Sequence, residues 1–538
     1  MSVDKEGNMS TTLNSNETKA TVNRWLVLAV MSVGTLIVFL DNTVVNTALP
    51  AISVDLGASI STLQWVVNAY VLVLAGLLLL GGSLGDRYGR KRWMIVGLLI
   101  FGLGSFGAGL AASSAQFIIF RGVQGLGAAL VLPATLSIIT NVFPRGERAK
   151  AIGIWTAVGA LGIGLGPVLG GWLVDNVGWS AVFFLHIPIL ALALAGMVFV
   201  PESKDERNLR LDVPGAVLGT TGLIALVYGI IQGPEFGWTS PVIVFSFTLA
   251  AFLLSAFAYV EIRSDAPMLP LKFFRQKDFT GAVLSLGLII FGMLVTFFFL
   301  TQYFQIVHGR TAFAAGLLII PASVGMMMGA PLSGALVNRI GPRYLVLAMA
   351  AAMIGGVLLL TGITQDSSTL AVIIPLGIFG FGAGLGMPAL TDTVMAAVPE
   401  ADAGIGSAVN DVSRELGGAL GIATIGSVVS SLYRSNVDDA LIGVVPDEVV
   451  ELVGEGVGVA SAISAEMPEG VAALVIPAAN QAFVDAMVSG FRLSAAVLVT
   501  AIVIAFTLIP RRMRATQASA EDVFGESVDA EASESIGV

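Results

Sequence analysis

Apolar stretches of about 20 residues, each long enough to cross a bilayer as a helix, recur along the whole chain. A segment inside lipid must satisfy its own backbone hydrogen bonds, so we expect each stretch to be helical. The 538-residue sequence is 56% hydrophobic and only 12% charged, about half the charged fraction of an average soluble domain. This pattern predicts an all-α polytopic membrane protein and excludes an ordinary soluble fold.

We predict fourteen membrane spans, numbered here span 1 to span 14 in chain order. Because the number is even, both termini are expected on one side of the membrane. The predicted spans cover residues 25–49, 62–82, 93–112, 117–141, 149–174, 179–200, 212–232, 240–260, 279–307, 313–337, 344–363, 369–397, 404–432 and 490–510.

The basic residues indicate which side holds the termini. Of the 27 Lys and Arg residues, 22 lie before span 1 or after spans 2, 4, 6, 8, 10 and 14. Short loops rich in Lys and Arg remain in the cytoplasm. We therefore expect a multi-pass protein of the cytoplasmic (inner) membrane with both termini cytoplasmic. The polar start of the chain shows no apolar core followed by a small-residue cleavage site, so no cleaved signal peptide is predicted.

Three polar regions are expected outside the membrane. Residues 433–489 carry nine acidic residues and are predicted to form an acidic extracytoplasmic loop, in which "DEVVELVGEGV" (447–457) has the pattern of an amphipathic helix. Residues 1–24 are predicted to be a cytoplasmic N-terminal segment. Residues 511–538, rich in Ser, Glu and Asp, are predicted to be a disordered cytoplasmic tail.

An internal repeat divides the chain. "GGSLGDRYGRKR" (81–92) follows span 2, and a degraded copy, "GALVNRIGPR" (334–343), follows span 10. If each copy follows the second helix of a six-helix half, the halves are 25–205 and 271–510, and 206–270 is an inserted hairpin of spans 7 and 8. Parallel repeats of this kind build one large class of secondary transporters.

One carboxylate stands inside the first span. Asp41 lies in "FLDNTVVNTALP" (39–50), within a span that is otherwise largely apolar. A charge at membrane depth is costly and needs a partner, water or a proton, so it is a functional candidate by default.

Four motifs occur in order along the first half: "LDNTVVNTALP" (40–50), "GSLGDRYGRKR" (82–92), "IIFRGVQGLGAA" (118–129) and "GALGIGLGPVLGG" (159–171). Together they resemble the motifs of the major facilitator superfamily, specifically its fourteen-helix drug/proton antiporter branch, which includes the quaternary-ammonium efflux pumps. The resemblance covers roughly residues 20–510. It implies the major facilitator fold, with two six-helix bundles plus an inserted two-helix hairpin. The chain departs from its relatives in span 6, where His186 stands at a position that is more often Asn.

The resemblance assigns roles to two of the motifs. The loop after span 2 would act as a latch that keeps the cytoplasmic side closed in the outward-facing state; the alternative is that its basic residues only set topology. The glycines of span 5 would form a gate and hinge that blocks leak, whereas the alternative is generic close packing of helices. The latch residues are Gly82, Gly85, Asp86, Arg87, Gly89 and Arg90, and the antiporter-motif residues are Gly159, Gly162, Gly166, Pro167, Gly170 and Gly171.

Charged residues in other spans are further candidates. Arg121 in span 4 cannot lose its proton and must meet an acid, water or carbonyl groups. It either holds helices together as a structural tether or takes part in proton coupling together with Asp41. Asp411 and Glu415 are four residues apart on one face of span 13 and would form a cation and proton site, or an ion-pair network with Arg414. Asp392 in span 12 is a weaker candidate of the same kind.

These features predict a proton-coupled multidrug efflux antiporter that exports lipophilic, cationic compounds by alternating access and is not an enzyme. There are two alternatives: an exporter of an endogenous metabolite or lipid, and a non-transporting membrane sensor. The chain has no cysteine and only two distant histidines, so neither a disulfide nor a metal cluster is expected. No cofactor is predicted, because the proton gradient would drive transport. The expected partners are small substrates, protons and the bilayer, without nucleic acid, and the protein is expected to be a monomer.

Overall fold

The computed structural model describes residues 23–204, 211–264, 267, 269, 271–398, 403–464, 467–509 and 511. Within these ranges the chain is helical, with short connections and one isolated bridge between Ile442 and Val445. The predictions for the N-terminal segment and the tail concern residues that lie almost entirely outside the described ranges.

Among the described residues, the first half of the chain forms seven helices and a 3-10 turn, Met197–Phe199. They are α1 (Arg24–Leu56), α2 (Ile60–Tyr88), α3 (Arg90–Gly109), α4 (Ser114–Val142), α5 (Arg145–Asn176), α6 (Ser180–Phe184) and α7 (His186–Gly196). Two more helices follow as a hairpin, α8 (Val213–Phe236) and α9 (Pro241–Arg263).

The second half begins with a 3-10 turn, Leu271–Arg275, and contains a π-helical turn, Tyr303–Val307, after its first long helix. Its helices are α10 (Lys277–Gln302), α11 (Ala312–Ile340), α12 (Pro342–Leu360), α13 (Thr369–Ala396), α14 (Ala403–Leu441), α15 (Asp447–Gly454), α16 (Val457–Ser464) and α17 (Glu469–Leu508).

Thirteen helical segments of the described residues are long and apolar enough to cross a membrane, which confirms the all-α membrane class. They coincide with predicted spans 1–4 and 6–14. Predicted span 5 corresponds to α5. Its 32 residues extend about 48 Å at 1.5 Å per residue. Some side chains of α5 are not among those that the structure describes.

One predicted boundary is wrong. Predicted span 14 (490–510) is only the second half of α17, which is 40 residues long, so much of the predicted 433–489 loop is helical. The polar residues Gln481 and Asp485 of this stretch lie on the exposed face of α17 and hydrogen-bond to each other at 3.0 Å. Predicted span 6 (179–200) coincides with the apolar segment Ser180–Phe199. Within it the helix is interrupted between α6 and α7, because Pro188 has no N–H with which to continue the hydrogen-bond ladder.

The two halves repeat the same packing. In the first half α1 packs against α5, while α2 and α3 pack against α4; in the second half α10 packs against α14, while α11 and α12 pack against α13. The repeated loops correspond as well. Gly89 and Gly341 both have positive φ, +118° and +87°, and both donate an N–H to the carbonyl four residues earlier.

The halves meet along two seams, α2 against α14 and α5 against α11. The hairpin covers one of them, because α8 packs on both α2 and α14 and α9 packs on the outside of α8. Large apolar side chains of α9, such as Phe245 and Phe252, are exposed, as expected for a surface that faces lipid.

Hydrogen bonds join the halves at the end of the bundle that contains the α1–α2 loop, which we call the first-loop end. Asp175 at the end of α5 accepts the backbone N–H groups of Ala312 and Phe313, both at 2.8 Å. Gln305 donates to the carbonyl of Thr47 at 2.9 Å. The first-loop end is therefore the closed end of this conformation; we call the opposite end, with the α2–α3 loop, the motif end.

The glycine stripe of α5 lies against α1. A Cβ atom at Gly162 would be 3.1 Å from the carbonyl oxygen of Leu36, and one at Gly166 would collide with the hydroxyl of Thr43. By contrast, a Cβ atom at Gly164 on the same helix would meet nothing within 4 Å. The close approach of α1 and α5 therefore depends on particular glycines of the stripe.

Gly166→Leu is expected to destabilise the protein, because the new side chain would push α5 away from α1. Overpacking of this kind costs about 1–3 kcal/mol. The measurement is thermal unfolding of the purified protein in detergent, and the matched control is Gly164→Leu, which has the same helix-propensity change in open space. Equal melting temperatures for the two variants would contradict the packing role of the stripe.

Candidate functional site

A buried ion pair joins α1 and α4. The Nη1 atom of Arg121 lies 2.7 Å from Oδ2 of Asp41, and the two side chains are 1% and 0% exposed. The structure thus brings together the two charged residues that the sequence singles out in the first half. Removing one member of a buried pair leaves the other charge without a partner, which typically costs about 3–5 kcal/mol.

Gln124 completes the polar shell around this pair. One turn along α4 from Arg121, it accepts a hydrogen bond from Nη1 of Arg121 at 2.9 Å and donates to Oδ1 of Asp41 at 3.2 Å. The Nε atom of Arg121 donates to the carbonyl of Val66 at 3.1 Å. The guanidinium also lies over the ring of Tyr70, 4.4 Å from its centroid, where a cation is attracted by the π face.

His186 lies on the other side of the carboxylate. Its Nε2 atom is 3.9 Å from Oδ1 of Asp41, and its Nδ1 atom is 2.8 Å from the hydroxyl of Ser105. The sequence marked this residue only as a departure from the pattern of relatives; the structure places it beside the acid. We refer to Asp41, Arg121, Gln124 and His186 as the charge cluster.

Next to the charge cluster, α2 carries polar side chains that have no hydrogen-bond partner within the described residues. They are the carboxamides of Gln64 and Asn68 and the hydroxyl of Tyr70, all fully buried. Gln64 faces the other half, because a Cβ atom at Gly426 of α14 would collide with its amide nitrogen. Buried polar groups are rarely left unpaired, so this part of the seam is suited to a ligand or to water.

The predicted acids of span 13 lie on α14. Asp411, Arg414 and Glu415 are all partly exposed, and among the described residues Arg414 makes no ion pair within 4.0 Å with either acid. Glu415 lies within electrostatic reach of Tyr70, the ring beneath Arg121, so the second half presents a carboxylate toward the charge cluster. Asp392 near the end of α13 is exposed and makes no hydrogen bond or ion pair in the described part of the chain.

No group of three or more acidic residues and histidines suited to a metal ion occurs among the described residues. The charged groups of the site are Asp41 and Arg121. A carboxylate can bind either a proton or a cation, and a neighbouring guanidinium stabilises its charged form.

The contacts described for the predicted latch residues lie within the first half. Asp86 accepts a hydrogen bond from Nε of Arg90 at 2.7 Å, and Arg87 lies over the ring of Tyr88. Gly89 requires its glycine, because φ is +118° and a Cβ atom would be 2.9 Å from the carboxylate of Glu202. Of the two remaining glycines, Gly82 lies beside Pro133 and Gly85 beside Arg90.

Glu202 is a residue that the sequence did not single out. Its carboxylate accepts the backbone N–H of Lys91 at 3.0 Å, and the N–H of Arg90 donates to the carbonyl of Ser203 at 2.9 Å. The segment after α7 therefore fixes the α2–α3 loop in place. Since it lies in a short linker, no periodic pattern could have revealed it.

The antiporter-motif residues of α5 contact two partners. Four glycines lie against α1, while the last part of the motif lies against α11 of the other half. There, Cβ atoms at Gly171 and Gly316 would collide with the backbone of Ala312 and Pro167, respectively. The motif thus occupies the seam at which the halves are closed. The four glycines that face α1 are Gly159, Gly162, Gly166 and Gly170.

Known proteins share this architecture. A bacterial homologue of the human lysosomal transporter Spinster, solved in an inward-facing and unoccupied conformation, aligns over 92% of this chain and 99% of its own, with a TM-score of 0.65 and 17% identity. The xylose transporter XylE from E. coli, in an inward-open conformation, aligns over 93% and 99%, with a TM-score of 0.57 and 14% identity. At these identities the likeness concerns the fold alone.

Sequence relatives are closer. The multidrug resistance protein Stp of Mycobacterium tuberculosis is 38% identical over 426 residues, 79% of each chain. The multidrug efflux pump LfrA of Mycolicibacterium smegmatis is 33% identical over 503 residues, 93% of this chain and 98% of its own. The tetracenomycin C resistance and export protein of Streptomyces glaucescens is 34% identical over 416 residues, 76% of each chain.

The family model described as Major Facilitator Superfamily matches residues 31–422, which include α1 with Asp41, α4 with Arg121 and the acids of α14. The resemblance inferred from the four motifs is thereby confirmed. The chain is a multi-pass membrane protein that belongs to the Major Facilitator Superfamily, and its relatives include multidrug and antibiotic efflux proteins.

Proposed function

We propose that this protein is a proton-coupled multidrug efflux antiporter that exports lipophilic, cationic compounds by alternating access. The observation that carries the proposal is the Asp41–Arg121 ion pair, fully buried in an apolar bundle, with Glu415 of α14 within electrostatic reach of Tyr70 beside it. The names of the relatives support drug export, and the charge cluster supports the coupling to protons.

Coupling follows from competition for one carboxylate. When Asp41 is protonated it is neutral and no longer holds Arg121 as an ion pair; when it is deprotonated it can hold either Arg121 or a cationic drug. Proton and drug therefore exclude each other at the same atoms, so inward movement of the proton drives outward movement of the drug. The process needs no cofactor and no nucleic acid, and a single chain contains both halves of the site, so a monomer suffices.

Alternating access uses the two seams. The positive-inside distribution of Lys and Arg supports a cytoplasmic position for the motif end, with both termini there and the protein in the inner membrane. The closed first-loop end, held by Asp175 and Gln305, is then the outer side, and the described conformation is inward-facing. In the outward-facing state the α2–α3 loop with Asp86 and Arg90 would hold the motif end closed.

A second candidate is an exporter of an endogenous metabolite on the same scaffold. The unpartnered carboxamides of Gln64 and Asn68 favour it, because a neutral substrate with hydroxyl or amide groups would satisfy them. Metabolite profiling of a deletion strain beside a drug-susceptibility panel separates the two candidates. Accumulation of one metabolite with unchanged drug susceptibility would favour the second.

The direct test is transport in proteoliposomes. Purified protein with an imposed pH gradient is expected to move ethidium against its concentration gradient, and a protonophore that collapses the pH gradient is expected to stop the movement. Ethidium movement that is insensitive to the pH gradient would contradict proton coupling while leaving drug transport in place.

Asp41→Asn is expected to reduce pH-driven ethidium transport to the level of protein-free liposomes, because the amide binds neither proton nor cation. It also leaves Arg121 buried without its partner, so a loss of stability of about 3–5 kcal/mol is expected. The double variant Asp41→Asn/Arg121→Gln removes both charges and is expected to recover stability but not transport. Transport by either variant, measured at matched reconstituted amounts, would exclude the role of this acid.

Arg121→Ala is expected to impair transport of every substrate, because the carboxylate loses the cation that competes with the drug. Arg121→Lys is expected to recover part of the activity, since the charge survives but the planar fork that contacts Asp41, Gln124 and Val66 does not. The measurement is efflux of several dyes from cells with equal membrane abundance of each variant. Wild-type efflux in Arg121→Ala cells would reduce this residue to a structural tether.

Glu415→Gln and Asp411→Asn are expected to weaken export of a bis-quaternary ammonium compound more than export of ethidium. A divalent cation loses more solvation free energy than a monovalent one when it moves into a medium of lower dielectric. A second carboxylate therefore stabilises a bound divalent cation more than a bound monovalent one. Asp439→Asn, an exposed acid near the other end of the same helix, is the matched control. Equal losses for divalent and monovalent compounds in the two α14 variants would favour a structural network over a cation site.

A further inference from the structure

The imidazole of His186 has a defined tautomer. The hydroxyl of Ser105 lies 2.8 Å from the carbonyl oxygen of Phe183 and 2.8 Å from Nδ1 of His186. A hydroxyl has one proton, and a carbonyl can only accept. Ser105 therefore donates to Phe183 and accepts from His186, which places the imidazole proton on Nδ1.

The other ring nitrogen is consequently an unused acceptor. Nε2 of His186 is fully buried, has no hydrogen-bond partner among the described residues, and lies 3.9 Å from Oδ1 of Asp41. A hydrogen bond between these atoms would need an approach of about 1 Å. A deprotonated carboxylate and a bare ring nitrogen are both acceptors, so this gap is the separation expected when no proton lies between them.

The surroundings of the ring determine when it takes up a proton. Among the described residues, the charged groups within its electrostatic reach are Asp41 from α1 and Arg121 from α4. From α3 and α6 the ring meets Ser105 and the uncharged rings of Phe101 and Phe183. A proton on Nε2 is thus stable only with the carboxylate of Asp41 next to it.

We propose that His186 is a second proton-binding residue of the transport site, which exchanges the coupled proton with Asp41. In this step the O–H bond of the protonated Asp41 breaks and its electron pair stays on the carboxylate, while a new N–H bond forms at Nε2. The products are a carboxylate and an imidazolium, which retains its Nδ1–H bond to Ser105. The coupling role rests on the proposed function, but the proton-binding property can be tested without transport.

The second consequence concerns the drug. With the proton on His186, the cluster contains two cations, His186 and Arg121, around one carboxylate. A cationic drug then meets added repulsion at Asp41. Protonation of His186 therefore favours drug release, and its loss prepares the site for drug binding.

The sequence provides a clean spectroscopic test, because the chain has only two histidines. In the His308→Asn variant of the full chain, labelled with 15N-histidine and placed in lipid nanodiscs, His186 gives the only imidazole signals. At alkaline pH we expect a protonated Nδ1 and a bare Nε2, and at acidic pH a second proton on Nε2. Adding Asp41→Asn is expected to lower the protonated fraction at each pH, because the anion is lost and Arg121 remains.

Three results of this titration would overturn the proposal: a proton on Nε2 at alkaline pH, an imidazole that stays neutral between about pH 5 and 8, or a titration that Asp41→Asn leaves unchanged. None of them depends on transport. A failure of the proposed function, seen as ethidium movement independent of Asp41, is therefore distinguishable from a failure of this inference.

Transport measurements provide a second test of the proposal. His186→Asn retains a donor for Ser105 but cannot take up a proton in this pH range, so we expect ethidium efflux that persists and depends less on pH than that of the wild type. His308→Asn, at the first-loop end and outside the charge cluster, is the control and should retain the wild-type pH profile. A wild-type pH profile in His186→Asn, at equal protein amount, would contradict the exchange of the coupled proton with Asp41.

Discussion

The ion pair between Asp41 and Arg121 is the interaction on which the first half of this protein depends. Two full charges inside an apolar bundle are tolerable only when each satisfies the other and the remaining hydrogen-bonding atoms find partners. Here Gln124 and the carbonyl of Val66 supply those partners. The relative positions of α1, α2 and α4 are consequently fixed by polar contacts at one point, and by apolar packing and glycine contacts elsewhere.

The same argument explains why the pair is suited to exchange. An ion pair that is stable only when complete is sensitive to any group that replaces one member. A proton on the carboxylate, or a cation from outside, changes which contacts α4 can make with α1. In the proposed mechanism, the site would thus link a small chemical event to the arrangement of helices, which is what a two-state transporter requires.

Much of the fold was predictable, because long apolar stretches leave a helix as the only element and the repeated loop defines two halves. Asp41 and Arg121 stood out since charges in such stretches are rare. Their contact was not predictable, as it depends on the rotation of α1 against α4. The role of Gln124 was not predictable either, because a neutral residue in a glycine-rich helix gives no distinct signal in the sequence. The start of α17 was missed, because hydropathy alone does not separate an exposed polar face of a helix, as at Gln481 and Asp485, from a loop.

The two seams differ in how they are covered from the lipid, because the hairpin of α8 and α9 packs on only one of them among the described residues. Because α8 covers the seam between α2 and α14, this helix lies between the seam and a lipophilic molecule dissolved in the bilayer. The seam between α5 and α11 has no such cover from the hairpin, and its contacts are backbone against glycine, at Gly171 and Gly316. In the part of the chain that the structure describes, the inserted pair of helices therefore separates one seam from the surrounding lipid and leaves the seam between α5 and α11 without that shield.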